Sequence, residues 1–278
     1  MNMARFLSIV IPAYNEEKRI GPTLDDILRF LKAQTYGAEV IVVDDGSSDE
    51  TARRVSEKVS QYSDAGHELR VLTNTPNRGK GYSVKRGVAE ANGEMLLFTD
   101  ADLSSPITEA PKLIDPLAAG LADVAFGSRA LRRELIGVHQ PRMRELGGTV
   151  FNFCMRTITG LKFKDTQCGF KAFRRKAAVP VFALQRVERF GFDPEVLYIA
   201  KKHGNRLLEV PVVWNHCEGG ELQNKLNYVR DSINMFADLI RIRVNDLAGR
   251  YRKPLGNVLV ESKQAAEKAT KRAVGRVD

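Results

Sequence analysis

The sequence predicts an α/β fold with a mainly parallel sheet flanked by helices, on three observations. Short, β-branched apolar runs alternate with helix-length amphipathic segments from Phe6 onward. Each run gives way to a polar loop, and several of those loops carry carboxylates, as in Asp44-Asp45 and Asp100-Ala101-Asp102. In a sheet of this kind the ligand lies beyond the carboxyl ends of the strands, so these loops gather at one edge.

Phe6 to Ile11 reads as a buried strand, and Pro12-Ala13-Tyr14-Asn15-Glu16-Glu17 as a loop leading into a helix over Gly21 to Gln34. A second strand, Glu39 to Val43, runs into Asp44-Asp45-Gly46-Ser47-Ser48-Asp49, after which Glu50 to Tyr62 has helical spacing with Asp49 as its N-cap. The unit repeats with a strand at Leu69 to Thr73, a loop at Asn74 to Gly81 and a helix at Tyr82 to Ala91. A strand at Glu94 to Thr99 then ends in Asp100-Ala101-Asp102. A helix near 108 to 120 and a strand at Asp123 to Gly127 follow, then a basic stretch from Ser128 to Arg144 that begins irregularly and turns helical. Leu207 to Trp214 reads as the last strand, and Lys225 to Tyr251 as an amphipathic helix whose apolar stripe runs beside Arg230, Arg241, Arg243 and Arg250.

A chain of 278 residues with 43% hydrophobic composition can bury a sizeable core. Its expected organisation is a catalytic domain over 1–222, an amphipathic extension over 223–252 suited to a membrane surface, and a polar, basic, flexible tail over 253–278. The formal charge of +9 favours anionic partners. Nucleic acid is not expected, because no basic and aromatic residues interleave as such binding requires. The three cysteines, Cys154, Cys168 and Cys217, form neither a disulfide framework nor a zinc pattern, which points to a reducing cytosol. Pro12 and nearby charges interrupt the first apolar run too early for a signal peptide, and no run approaches the roughly 20 residues that span a bilayer. The expected place is the cytoplasm, with the chain soluble or lying on a membrane.

Asp100 and Asp102, two apart at a strand end, can both face one divalent cation that bridges a diphosphate; a solvated turn has the same spacing. Asp44 and Asp45 end a neighbouring strand, where a carboxylate can accept from a base N–H or ribose hydroxyls, or simply form an Asx turn. Pro12, Tyr14 and Glu16 can wall a nucleotide pocket or shape a turn. Asn77-Arg78-Gly79-Lys80-Gly81 has the composition of a phosphate loop without the spacing of a nucleotide-triphosphatase signature.

Taken in order, FLSIVIPAYNEE, VIVVDDGSSDET, NRGKGYSVKRG, LLFTDADLSSP, GSR and DTQCGFKAFRR resemble glycosyltransferase family 2 over about residues 5 to 215. The last three are similar to the branch that glycosylates dolichyl and other polyprenyl phosphates. The resemblance implies an A-type glycosyltransferase fold and inverting hexosyl transfer from a nucleotide-sugar, UDP-glucose ahead of GDP-mannose. It implies Mg²⁺ or Mn²⁺ on Asp100 and Asp102, and the nucleotide beside Pro12, Tyr14, Glu16, Asp44 and Asp45. Lys80 joins the donor-binding set. Arg129 and Arg144 match arginines that meet the acceptor phosphate, for which planar guanidinium forks are suited. Asp165 and Gln167 fall near the donor sugar and the reaction centre, Asp165 orienting rather than deprotonating because a phosphate acceptor is already ionised.

Three positions depart from the branch. Ser104 stands where some relatives have a third metal ligand, and Gly148 where relatives often have Ser. The compact Gly-Ser-Lys that usually follows the last strand is replaced by residues 215–225, leaving Lys225 as the candidate for the donor diphosphate. Two other readings compete: a family member that glycosylates a hydroxyl with Asp165 as base, and a non-enzymatic nucleotide-sugar or lipid-binding module.

Overall fold

Strand β1 (Leu7–Ala13) lies inside a seven-stranded sheet in the computed structural model, which describes residues 6–138, 152–215 and 225–252. The other strands are β2 (Ala38–Asp44), β3 (Glu68–Thr73), β4 (Met95–Phe98), β5 (Val124–Ser128), β7 (Lys171–Arg174) and β8 (Leu207–Pro211), in the order β3-β2-β1-β4-β7-β5-β8. All pairings are parallel except those of β7, which runs antiparallel between β4 and β5. The ends of β1, β2, β4 and β5 and the start of β7 therefore share one edge.

The helices are α1 (Ile20–Lys32), α2 (Thr51–Ser56), α3 (Val59–Asp64), α4 (Lys80–Glu90), α5 (Ala110–Ala118), α6 (152–159), α7 (Arg175–Leu184), α8 (Phe192–Lys202) and α9 (Lys225–Leu247). Strand alternation divides the core in two. Val10, Ile41 and Val43 pack with Val84, Val88, Phe182, Val196 and Leu239 from α4, α7, α8 and α9. Ile9, Ile11, Val40 and Val42 pack on the opposite face with Leu24, Ile27, Val55 and Leu113 from α1, α2 and α5. Because helices cover both faces, the central strands read as continuous apolar runs rather than alternating ones.

Four elements differ from the sequence expectation. The single helix over Glu50 to Tyr62 is two helices, and the break between them turns Tyr62 inward so that its hydroxyl donates to the Leu24 carbonyl. The last strand ends at Pro211, whose missing N–H stops a ladder, and Trp214–Asn215 (β9) pairs instead with β6 (Ile136–Val138) in a separate two-stranded sheet. Strand β7 carries a lysine in a four-residue run and has no periodic signal. The last helix ends at Leu247, and Tyr251 beyond it is fully buried, its hydroxyl donating to Glu195 at 2.6 Å. Leu239 and Ile242 put the inner face of α9 into the main core.

Candidate active site

Loops after β1 and β2 are sewn together by side chains accepting from, and donating to, backbone. Asn15, held at φ 54°, donates its N–H to Ser47 Oγ at 2.9 Å and accepts from Ser48 N at 3.0 Å. Glu16 N donates to Thr51 Oγ1 and Glu17 N to Asp49. Pro12 closes β1 half-buried, while Tyr14 is 48% exposed beside it. Asp44 accepts from Ser47 N, three residues on, at 3.2 Å, with its other oxygen left over. Asp45 behaves differently: it accepts from Asn74 Nδ2 (2.7 Å), Arg78 N (3.0 Å) and Gly79 N (2.6 Å), so it anchors the strap leading into α4.

That strap delivers Lys80 to the acidic pair after β4. Lys80 Nζ lies 2.5 Å from Asp100 Oδ1, while Asp102 accepts from Ser104 N at 2.9 Å. Ser104 thus aims Asp102 through its backbone. Burial pushes Glu16 above the ordinary carboxylate value; Arg19 opposes this, and the charges of Asp102 and Asp100 add to it, so the acidic pair is felt at Glu16. Gly169 presses on Asp100 from the other side: a Cβ there would lie 2.1 Å from Asp100 Oδ2, so a larger residue would displace that carboxylate. Two hard carboxylates of this kind suit Mg²⁺ or Mn²⁺, whose shell water and phosphate oxygens can complete. Among the described residues no set of three His, Cys, Asp or Glu side chains converges, so the protein's share of such a shell is the Asp100 and Asp102 pair.

Beneath lies a buried ion pair that sequence reasoning missed. Lys171 is fully buried; its ammonium donates to Asp193 and to the Cys168 carbonyl, and sits 5.2 Å from the Phe98 ring centroid. Burial pushes Asp193, in the first turn of α8, upward against the pull of the Lys171 and Lys80 charges. Burial opposes charge on Lys80 too, but Asp100 and Asp193 outweigh it and hold the ammonium protonated. The signal available was a lysine inside the short motif DTQCGFK, a residue out of place in a central strand.

Arg129 and Asp165 form the other half of the site. Arg129 follows β5 and grips Asp165 through Nε at 2.6 Å and Nη2 at 3.0 Å, while its own N–H donates to the same carboxylate at 3.1 Å. Gln167 N adds a fourth hydrogen bond at 3.0 Å, and Glu209 accepts from Asp165 N at 2.8 Å. Burial drives Asp165 upward, yet the Arg129 charge and hydrogen bonds prevail and keep its carboxyl below the usual range. The Arg129 guanidinium also lies 5.5 Å from the Trp214 ring centroid. Cys168 is buried, and its thiol is pushed up to about 11, mainly by burial, which fits a packing residue rather than a nucleophile.

Of the candidate residues, the fold brings Pro12, Tyr14, Glu16, Asp44, Asp45, Lys80, Asp100, Asp102, Arg129, Asp165 and Gln167 to the carboxyl edge of one sheet. Lys225 opens α9, with its side chain outside the described part, and Arg144 and Gly148 lie outside the described residues altogether.

A mixed sheet in this order, with an Asp-x-Asp following β4, has the architecture of an A-type glycosyltransferase. The family model described as glycosyl transferase family 2 matches residues 8–182, and the chain belongs to that family. It is an enzyme, a glycosyltransferase. It is 36% identical over 258 residues to the dolichyl-phosphate beta-glucosyltransferase of Homo sapiens, covering 88% of this chain and 77% of that one. With the Saccharomyces cerevisiae protein of the same name the identity is 36% over 268 residues, covering 89% and 77%. Among solved structures it is similar to glucosyl-3-phosphoglycerate synthase from Mycobacterium tuberculosis in complex with UDP, at TM-score 0.62 and 21% identity over 90% of this chain and 81% of that chain. The same synthase with Mn²⁺, UDP-glucose and phosphoglyceric acid gives TM-score 0.59 at 20% identity, covering 90% and 81%.

Proposed function

We propose that this enzyme transfers glucose from UDP-glucose to a polyprenyl phosphate of the dolichyl type, inverting the anomeric centre. The names of the human and yeast relatives supply the glucosyl group and the dolichyl phosphate, and the synthase of similar fold was solved with UDP-glucose. The carrying observation in this chain is the state of Asp165. Its carboxylate accepts four hydrogen bonds, from Arg129 N, Nε and Nη2 and from Gln167 N, which is about what two carboxylate oxygens can take. Held ionised below the usual range and filled, it is a poor general base for an alcohol. A phosphate acceptor needs none.

Arg129 spends two of its five N–H groups on Asp165, leaving three for the acceptor phosphate, and Asp165 fixes their direction. Arg144 is the second phosphate contact in this proposal. Pro12, Tyr14, Glu16 and the free oxygen of Asp44 hold the nucleoside, with Asp45 shaping the pocket through the strap. Lys80 and Lys225 meet the diphosphate, and Gln167 meets the sugar. Asp100 and Asp102 would hold Mg²⁺ or Mn²⁺, which when bound neutralises the charge that develops on the leaving diphosphate. The phosphate oxygen attacks opposite that leaving group, and the site contributes chiefly alignment and charge neutralisation.

The acceptor chain brings the enzyme to a bilayer. No helix of the described residues is long and apolar enough to cross a membrane. Helix α9 instead exposes Ile240 (59%), Val244 (54%) and Leu247 (75%) on one outward face, next to Arg241 and Arg243, as a peripheral helix at a cytoplasmic membrane face would.

Labelled UDP-glucose and GDP-mannose, each supplied with a polyprenyl phosphate and Mn²⁺ or EDTA, test the donor. UDP-glucose alone should give lipid-soluble label that EDTA abolishes. Mannose transfer, or transfer indifferent to EDTA, would overturn this assignment.

A further inference from the structure

A groove of about 740 Å³ lies away from the carboxylate pair, between the strap of residues 75–78, the α7–α8 connection of residues 186–190 and helix α9. Four arginines line it, Arg78, Arg186, Arg189 and Arg241, against two acids, Glu188 and Asp238. Both acids are already committed. Arg78 pairs with Glu188 at 2.6 Å and Arg241 with Asp238 at 2.6 Å. Arg186 and Arg189 have no carboxylate partner among the described residues. Just behind them Lys85 donates to the Gln185 carbonyl, and first burial, then the neighbouring Arg186 charge, pull it below its ordinary value. Arg186 and Arg189, both exposed, leave the groove with net positive charge, which attracts an anion. Phe190, 45% exposed, and Met235 supply apolar wall.

We infer that this groove is a second anion site, which takes a phosphomonoester between the free guanidinium forks of Arg186 and Arg189. Two planar forks match a doubly charged tetrahedral oxyanion through bidentate, charge-assisted bonds. The phosphate can belong to a soluble metabolite or to the headgroup of a membrane lipid. The groove also touches the strap that Asp45 anchors. Gly79, at φ 104°, has no room for a Cβ, which would lie 2.7 Å from the Glu188 carbonyl oxygen, and Tyr82 N donates to that same oxygen at 2.9 Å. A ligand that fastens the 186–190 connection therefore steadies the strap and tightens UDP binding. This consequence rests on the nucleotide role given to the Asp45 loop; the existence of the anion site does not.

Equilibrium dialysis of labelled inorganic phosphate against the full chain, with UDP saturating, tests the site. One saturable phosphate should persist in Arg129→Ala and weaken about tenfold or more in Arg186→Gln/Arg189→Gln, whose melting temperature without phosphate should match that of the parent. Competition by glycerol phosphate or by phosphatidic acid vesicles then names the source, and either upholds the site. Undiminished phosphate binding in the double variant, or its loss in Arg129→Ala alone, would overturn it. Should phosphate bind as expected while UDP affinity is indifferent to it, the coupling through the strap fails and the anion site stands.

Discussion

At the scale of single residues, chemistry is set by what each charged group has already been given. Asp165 was legible in the sequence as a site residue, but its lack of spare hydrogen-bonding capacity was not, because that depends on Arg129, 36 positions away. If Asp165 acts by aiming Arg129, Asp165→Asn should raise KM for the polyprenyl phosphate by roughly 10- to 100-fold, the equivalent of about 1.5–3 kcal/mol, and leave KM for UDP-glucose nearly unchanged. The parent enzyme's rate should show no ionisation of Asp165 between pH 5 and 8, since its carboxyl is held below the ordinary value. A limb in that range that Asp165→Asn abolishes would instead make Asp165 a base. Lys171 teaches the complementary lesson. Nothing in a four-residue strand signals that its lysine is fully buried on Asp193. Lys171→Met would strand that carboxylate and should cost about 3–5 kcal/mol in chemical denaturation, while Lys171→Met/Asp193→Leu should recover most of the loss.

Among the elements, the strands before residue 120, and the helices apart from the break between α2 and α3, could be read from periodicity because local burial on both faces of a parallel sheet leaves apolar runs in the sequence. Strand β7 could not. Its register is imposed by β4 and β5 on either side, so tertiary pairing rather than local pattern creates it. The sequence likewise runs Leu207 to Trp214 together, although Pro211 and the claim of β6 on Trp214 divide it. The far end of the sheet has its own electrostatic tie: Asp123, before β5, accepts from Arg206 Nε at 3.0 Å before β8, with Lys176 at 3.6 Å. Chiefly through the Arg206 hydrogen bond, the Asp123 carboxyl is lowered to about 2 from 3.8. A carboxyl lowered in the folded state stabilises fully above its unfolded value and loses that contribution as pH falls toward the folded one. Asp123→Asn should therefore lower Tm at neutral pH, by about 2–4 °C per kcal/mol lost, and close that gap between pH 3.8 and about 2. A gap that persists at the acid end would show that the pair is not the cause.

Over the whole molecule, one sheet edge collects the loops after β1 and β2, the carboxylate pair and the Arg129–Asp165 pair, while α9 turns an apolar face outward on the same chain. The order of motifs made that edge readable, whereas the core-facing side of α9 was not: the apolar stripe read from the sequence includes Ile240, Val244 and Leu247, which are exposed, while Leu239 and Ile242, outside that stripe, enter the core. Ile240→Ser/Val244→Ser/Leu247→Ser should fold normally and lose flotation with anionic liposomes; unchanged flotation would remove α9 from the membrane. The most direct test of the enzyme's chemistry compares two acceptors that differ only at the reacting end, a polyprenyl phosphate and the matching polyprenol, each with UDP-glucose, Mn²⁺ and an Asp102→Asn control. Glucosyl transfer to the phosphate alone, abolished in Asp102→Asn, is expected; comparable transfer to the polyprenol would contradict it and restore Asp165 as a general base.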